Sequence, residues 1–206
     1  MNSDRLFQAG IGIALIGIAW SVWPHAAGGY YSPRNWPPPA YHHGPPILID
    51  RGHWNESTAD PDFYALTRLL TWDGYRVSTT RQEFVPELLQ TAKVLVISDP
   101  LGLTGWLSRF GWRSRASAFD ADELQAVREW VQAGGSLLLV ADRPAAVDAA
   151  RPLALALGAP LADRTLSAIG HGRVAVVTKQ LADIHNHAVN GRETMLAIMH
   201  WLSRAE

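Results

Sequence analysis

The sequence predicts an α/β domain: a doubly wound, mostly parallel five-stranded sheet with helices on both faces, preceded by one N-terminal transmembrane helix. Three observations lead there. Short β-branched and leucine-rich runs alternate with longer amphipathic stretches from Ile47 onward, the pattern of strand–helix–strand units. Two of those runs, 93–98 and 136–141, are apolar almost throughout, as expected where both sheet faces are covered. Finally, residues 6–23 form an uncharged run ahead of a proline-rich stretch.

That run reads LFQAGIGIALIGIAWSVW. A bilayer core needs about 20 apolar helical residues, so it is just long enough to span. Gly10, Gly12 and Gly17 would weaken a soluble helix but are tolerated in lipid. Trp20 and Trp23 sit at the outer end, where amphipathic rings favour the interface. Arg5 before the run places the N-terminus inside. The expected location is therefore the inner membrane, single-pass, with the domain in the periplasm; the alternative is a cleaved signal peptide, with Ala26-Ala27-Gly28 as its small-residue site. Residues 24–46, PHAAGGYYSPRNWPPPAYHHGPP, follow as a semi-rigid spacer, since such proline density favours extended polyproline geometry. The domain proper is residues 47–206.

Within it, residues 47–50 form the first strand. Asp60-Pro61 opens a helix, Asp as cap and Pro in the first turn; Phe63, Leu66, Leu69 and Leu70 give it one apolar face, and Gly74 ends it. Residues 75–78 are the second strand, 86–91 a short helix, and 93–98 the third strand. A long loop, 99–119, follows. Asp120-Ala-Asp-Glu123 is a capping box opening a helix that Gly134-Gly135 stops. Residues 136–141 are the fourth strand, 144–157 a helix closed by Gly158, and 173–178 the fifth strand. Asn190-Gly-Arg-Glu193 is a second capping box, starting a helix through Leu202. There are no internal repeats.

Composition narrows the chemistry. With 18 basic and 19 acidic residues and a net charge of -1, nothing favours a nucleic-acid partner. The chain has no cysteine, which excludes disulfides, thiolate metal sites and a cysteine nucleophile.

The segments ILIDRGHWN at 47–55, LLTWDGYRV at 69–77, AKVLVISDP at 92–100, FDADELQAVREWVQAGGSLLLVADRP at 119–144, GRVAVVT at 172–178 and IMHWLS at 198–203 carry a resemblance. Together they resemble the class I glutamine-amidotransferase-like domain of bacterial membrane proteins. The same superfamily domain occurs in gliding-motility transporter auxiliary proteins and an intraflagellar-transport subunit. The resemblance implies a flavodoxin-like fold. It also implies where a nucleophile would stand: on the strand-to-helix elbow after residues 137–140, which here reads Ala141-Asp142-Arg143-Pro144. Alanine has no nucleophilic atom, the glycine that lets the elbow turn is missing, and no His-x-Glu pair follows the last strand. A pseudoenzyme is expected, a fold carried over without its mechanism, with no cofactor.

Open parallel sheets bind ligands beyond the carboxyl ends of their strands. The sequence places Asp50, Arg51, His53 and Asn55 there after the first strand and Asp99 after the third. Asp142 and Arg143 follow the fourth, Thr178 and Lys179 the fifth. Asp50, His53, Asn55, Asp99, Asp142, Arg143 and Lys179 are thus candidates to hold a small polar ligand such as a sugar or a peptide end. Caps and ion pairs that tie loops together are the competing account of the same acids. Asp142 or His53 acting as a general base would make the chain a hydrolase instead.

Residues 101–118 interleave Trp106, Phe110 and Trp112 with Arg109, Arg113 and Arg115, without an acid. That mixture suits a lid or binding element facing a lipid interface or a partner's acidic surface; a local plug folded back over the sheet edge is the competing account. Asp183, His185 and His187 alternate in a loop, a weak zinc-like pattern, and no metal is assigned to them.

Overall fold

The computed structural model describes residues 43–55, 61–102, 117–141, 143–162, 164–178 and 191–203, with residues 61–63 as backbone only. All belong to the unit Trp36–Glu206. The transmembrane run, most of the spacer, residues 103–116 and the 183–187 loop lie outside the described residues. No described helix is long and apolar enough to cross a membrane.

In chain order the elements are β1 (Pro46–Asp50), α1 (Pro61–Trp72), β2 (Arg76–Thr80), α2 (Pro86–Leu89), β3 (Val94–Ser98), α3 (Ala121–Gln132), β4 (Ser136–Val140), α4 (Pro144–Ala156), β5 (Arg164–Ile169), β6 (Gly172–Val177) and α5 (Gly191–Ser203). The sheet order is β2-β1-β3-β4-β6-β5. The first five of these are parallel, and β5 joins β6 antiparallel. The expected five-stranded sheet is therefore corrected to six. β5 reads RTLSAI, with burial alternating strictly between exposed and half-buried. It is a solvated edge strand with no continuous apolar run to announce it.

Period-two alternation of the central strands builds two cores. Leu48, Leu95, Ile97, Leu137, Leu139, Val174 and Val176 face α2, α3 and α4, where Leu89, Val127, Val131, Ala150 and Leu153 pack on them. Ile47, Ile49, Val94, Val96, Leu138, Val140, Ala175 and Val177 face α1 and α5, meeting Leu66, Leu70, Met195, Ile198, Met199 and Leu202. Helices cover both faces, which explains why β3 and β4 are apolar on consecutive residues. The Asp120–Glu123 capping box forms as expected, Glu123 N donating to Asp120 Oδ1 at 2.8 Å and Asp120 N to Glu123 Oε2 at 3.1 Å. It fixes the direction in which α3 starts.

The turn end of the β5–β6 hairpin is seated by backbone contact. Its turn is Gly170-His171, with His171 N donating to Gln132 O at 2.9 Å. At Gly172 an added Cβ would lie 2.0 Å from Val131 O and 2.1 Å from Gly135 O, so backbone meets backbone there. Gly158 differs: its φ is +63 and nothing lies within 4 Å of a Cβ. Gly172→Ala is expected to lower unfolding free energy by about 2–3 kcal/mol, the range for overpacking. Gly158→Ala is expected to cost about 1 kcal/mol, its left-handed backbone alone. Urea denaturation of the two variants checks the difference.

Candidate functional site

Strand order reverses between β1 and β3: from β1 the chain steps outward to β2, then crosses back to β3 on the other side. The carboxyl ends of β1 and β3 therefore flank the crevice where doubly wound sheets take ligands. Asp50 closes β1 and is 1% exposed; His53 and Asn55 follow within the next five residues and are also buried.

These three side chains form one network with Glu123 of α3. His53 Nδ1 donates to both oxygens of Asp50 at 2.9 Å, and Nε2 donates to Glu123 Oε1 at 2.9 Å. Donation from both nitrogens requires the imidazolium form. Asp50 also accepts Gly52 N at 2.9 Å and Asn55 Nδ2 at 2.9 Å. Glu123 Oε1 accepts Phe84 N at 3.0 Å as well. The imidazole packs beside two rings, Phe84 at 4.6 Å and Phe119 at 4.7 Å between centroids, both tilted to it and 5.9 Å from each other. A cation thus lies beside two aromatic rings and between two carboxylates.

Burial is the largest influence on His53 and disfavours its charge. The hydrogen bonds to Asp50 and Glu123, with the charges of those two groups, outweigh it and raise the pKa from 6.5 to about 9. On Glu123 burial is again largest and pushes upward. The bonds from His53, Phe84 N and Asp120 N reverse it, leaving the carboxyl below its ordinary range.

The same residues stitch the crevice together. Asn55 Nδ2 donates to Ser98 O at 3.2 Å, and His53 O accepts Leu101 N and Gly102 N at 3.0 Å each. The exit loops of β1 and β3 are so tied directly across the switch point. Between the buried His53 and Asn55, Trp54 faces outward, 46% exposed, with φ 53. His53 N donating to Asn55 Oδ1 at 3.2 Å helps hold this left-handed turn. Asp99, 1% exposed, has φ 44 and donates its backbone N to Val140 O at 2.8 Å.

Of the candidates read from sequence, Asp50, His53 and Asn55 are brought into one cluster. Asp99 is buried at the end of the adjoining strand, and Arg143 is exposed at the start of α4. Asp142 and Lys179 lie outside the described residues, as do Trp106, Arg109, Phe110, Trp112 and Arg113. Ala141 is 7% exposed and part of the core under α4. Among the described residues no group of three or more His, Cys, Asp or Glu is placed to hold a metal ion. Sequence reading missed Glu123 as a site residue, together with Phe84, Phe119 and Trp54. The capping box explained one of the two oxygens of Glu123 and gave no sign of the other. Away from this edge, His200 Nε2 pairs with Asp73 Oδ2 at 2.6 Å, its side chain 47% exposed.

No protein-family model matches the chain, and neither does any curated protein. The solved structures similar to this chain include two at low identity. One is an mmIFT52 N-terminal domain: 16% identity, TM-score 0.34, covering 47% of this chain and 35% of that one. The other is an exo-beta-1,4-mannosidase from Opitutaceae bacterium strain TAV5: 14% identity, TM-score 0.45, covering 76% of this chain and 36% of that one. The chain matches about a third of the length of each.

The network has a definite pH signature. Because folding raises the pKa of His53, its contribution is fully present below pH 6.5 and is lost as pH rises toward 9; the size is about 3 kcal/mol. Folding lowers the pKa of Glu123, so that contribution is lost on acidification below the ordinary value of 4.5. Unfolding free energy should therefore peak between about pH 5 and 6.5 and fall on either side. In His53→Phe two buried carboxylates lose their cation. A loss of about 3–5 kcal/mol is expected near neutrality, with the decline between pH 6.5 and 9 removed. Denaturant titrations across pH measure both.

Proposed function

We propose that this chain is a membrane-tethered, extracytoplasmic, non-catalytic binding or scaffold domain of the amidotransferase-like type, serving a membrane-associated assembly or transport system. The observation that carries the proposal is the saturation of His53. A general base needs a nitrogen lone pair directed at a substrate. Here both nitrogens are donors to carboxylates, and two phenylalanine rings pack beside the imidazole. The methyl group of Ala141 at the elbow position, itself in the core, supports the same reading. The tether rests on the uncharged run 6–23 and the spacer behind it.

Binding has a natural anchor in Trp54. A bulky residue in the left-handed region costs about 1–2 kcal/mol and persists when its surroundings over-determine it. The Asp50–His53–Asn55 turn supplies that constraint and leaves the indole at the surface. Exposed tryptophans of this kind dominate the energetics of protein interfaces.

The test is purification of the full chain from native membranes after mild cross-linking. A stoichiometric membrane-protein partner is expected. Trp54→Ala should weaken its retention roughly thirtyfold, a loss of about 2 kcal/mol typical of such an anchor. Turnover of ester, glycoside or phosphoester substrates that disappears in Asp142→Ala would establish the alternative, an extracytoplasmic hydrolase with a non-cysteine site at this edge.

A further inference from the structure

The outer face of α1 carries Tyr64, Arg68 and Trp72 at four-residue spacing, which places them in one stripe along the helix. The Arg68 guanidinium lies 5.9 Å from the Tyr64 ring centroid and 4.9 Å from that of Trp72. Tyr64 is 64% exposed, Arg68 is exposed and Trp72 is half-buried. Neither the Tyr64 hydroxyl nor the Arg68 guanidinium has a hydrogen-bond or ion-pair acceptor among the described residues. The stripe is thus two aromatic faces with a bank of outward N–H and O–H donors between them.

The chain enters the domain at the end of this stripe. Gly44 N donates to Gly74 O at 3.0 Å, and Arg76 Nε donates to Gly44 O at 3.1 Å. Gly74 stands two residues beyond Trp72. The segment before Gly44 therefore leaves beside the C-terminal end of α1. That segment includes Trp-Pro-Pro-Pro at residues 36–39, within the same unit of the chain and outside the described residues.

We propose that the Tyr64–Arg68–Trp72 stripe is the docking surface for the chain's own proline run, residues 36–39, which seats the domain on its tether. Chemistry and length support the pairing. Proline has no N–H, so a proline run offers carbonyl acceptors and apolar rings; the stripe offers donors and apolar faces. Aromatic-lined surfaces take such segments because the polyproline conformation is already extended and little entropy is lost. From residue 36 to residue 39 polyproline spans about 9 Å, which fits within the roughly 12 Å of the eight helical steps from Tyr64 to Trp72. Residues 40–43 supply about 12 Å of further chain, enough to turn from Gly44 onto the helix. Residues 24–46 contain no acid, so it is carbonyls, not carboxylates, that Arg68 meets.

The absence of native cysteine makes disulfide trapping clean. In the full chain, Pro37→Cys is paired with Ala65→Cys beside the stripe. The control pairs it with Leu155→Cys, which is 73% exposed on a helix of the other sheet face. Under mild oxidation the first pair should close within one chain roughly tenfold faster than the control, reflecting a raised effective concentration. Tyr64→Ala with Trp72→Ala should abolish that advantage. So should Pro38→Gly with Pro39→Gly, which leaves the folded domain untouched. Equal rates for the two pairs, or an advantage that survives both sets of changes, would overturn the proposal in favour of a solvated spacer. A disulfide formed between chains would overturn it in favour of a second copy as occupant.

Discussion

A buried imidazolium held between two carboxylates is the constraint on which this edge of the molecule depends. An isolated charge in such a place would be costly by several kcal/mol. His53 is retained because Asp50 and Glu123 each take one of its N–H groups, and because their remaining acceptor positions are filled by Gly52 N, Asn55 Nδ2, Phe84 N and Asp120 N. Removing any one member leaves the others desolvated and incompletely paired. The network is thus cooperative, and it joins the exit of β1, the segment before α2 and the first turn of α3 into one rigid piece.

That rigidity explains the local backbone. Trp54 and Asp99 are the described non-glycine residues with positive φ, and both stand at the switch point. Strain gathers where surrounding bonds are strong enough to hold it. In sheets of this topology the switch point is ordinarily open to a ligand. Here the two exit loops are sewn together through Asn55, Ser98, His53, Leu101 and Gly102. Asp50, His53 and Asn55 are engaged with one another and with Glu123 in tying the loops, and Trp54 between them is turned outward.

Much of the architecture was legible because it rests on local signals. The alternation of Ile47, Leu48 and Ile49, the unbroken apolar runs of β3 and β4, and the Asp120–Glu123 box each specify their element within a few residues. β5 escaped because an edge strand needs few apolar residues and because its partner strand, not its own sequence, defines it; Gly170-His171 between two short runs was the one local hint of a hairpin. The candidate site was half legible. Asp50, His53 and Asn55 share a turn and were read together. Glu123 stands 70 residues from His53, and no spacing rule connects them. Sequence could name the groups at the edge of the sheet but not their satisfaction, and that distinguishes a clamp from a base.

The most direct measurement is the protonation state of the His53 ring. Nitrogen-15 NMR of the imidazole in the full chain, titrated from pH 5 to 10, reports each nitrogen separately. Both nitrogens are expected to be protonated at neutral pH, with the transition near 9. A neutral ring at pH 7 with one nitrogen unprotonated, titrating near 6.5, would contradict it and return His53 to the list of possible bases.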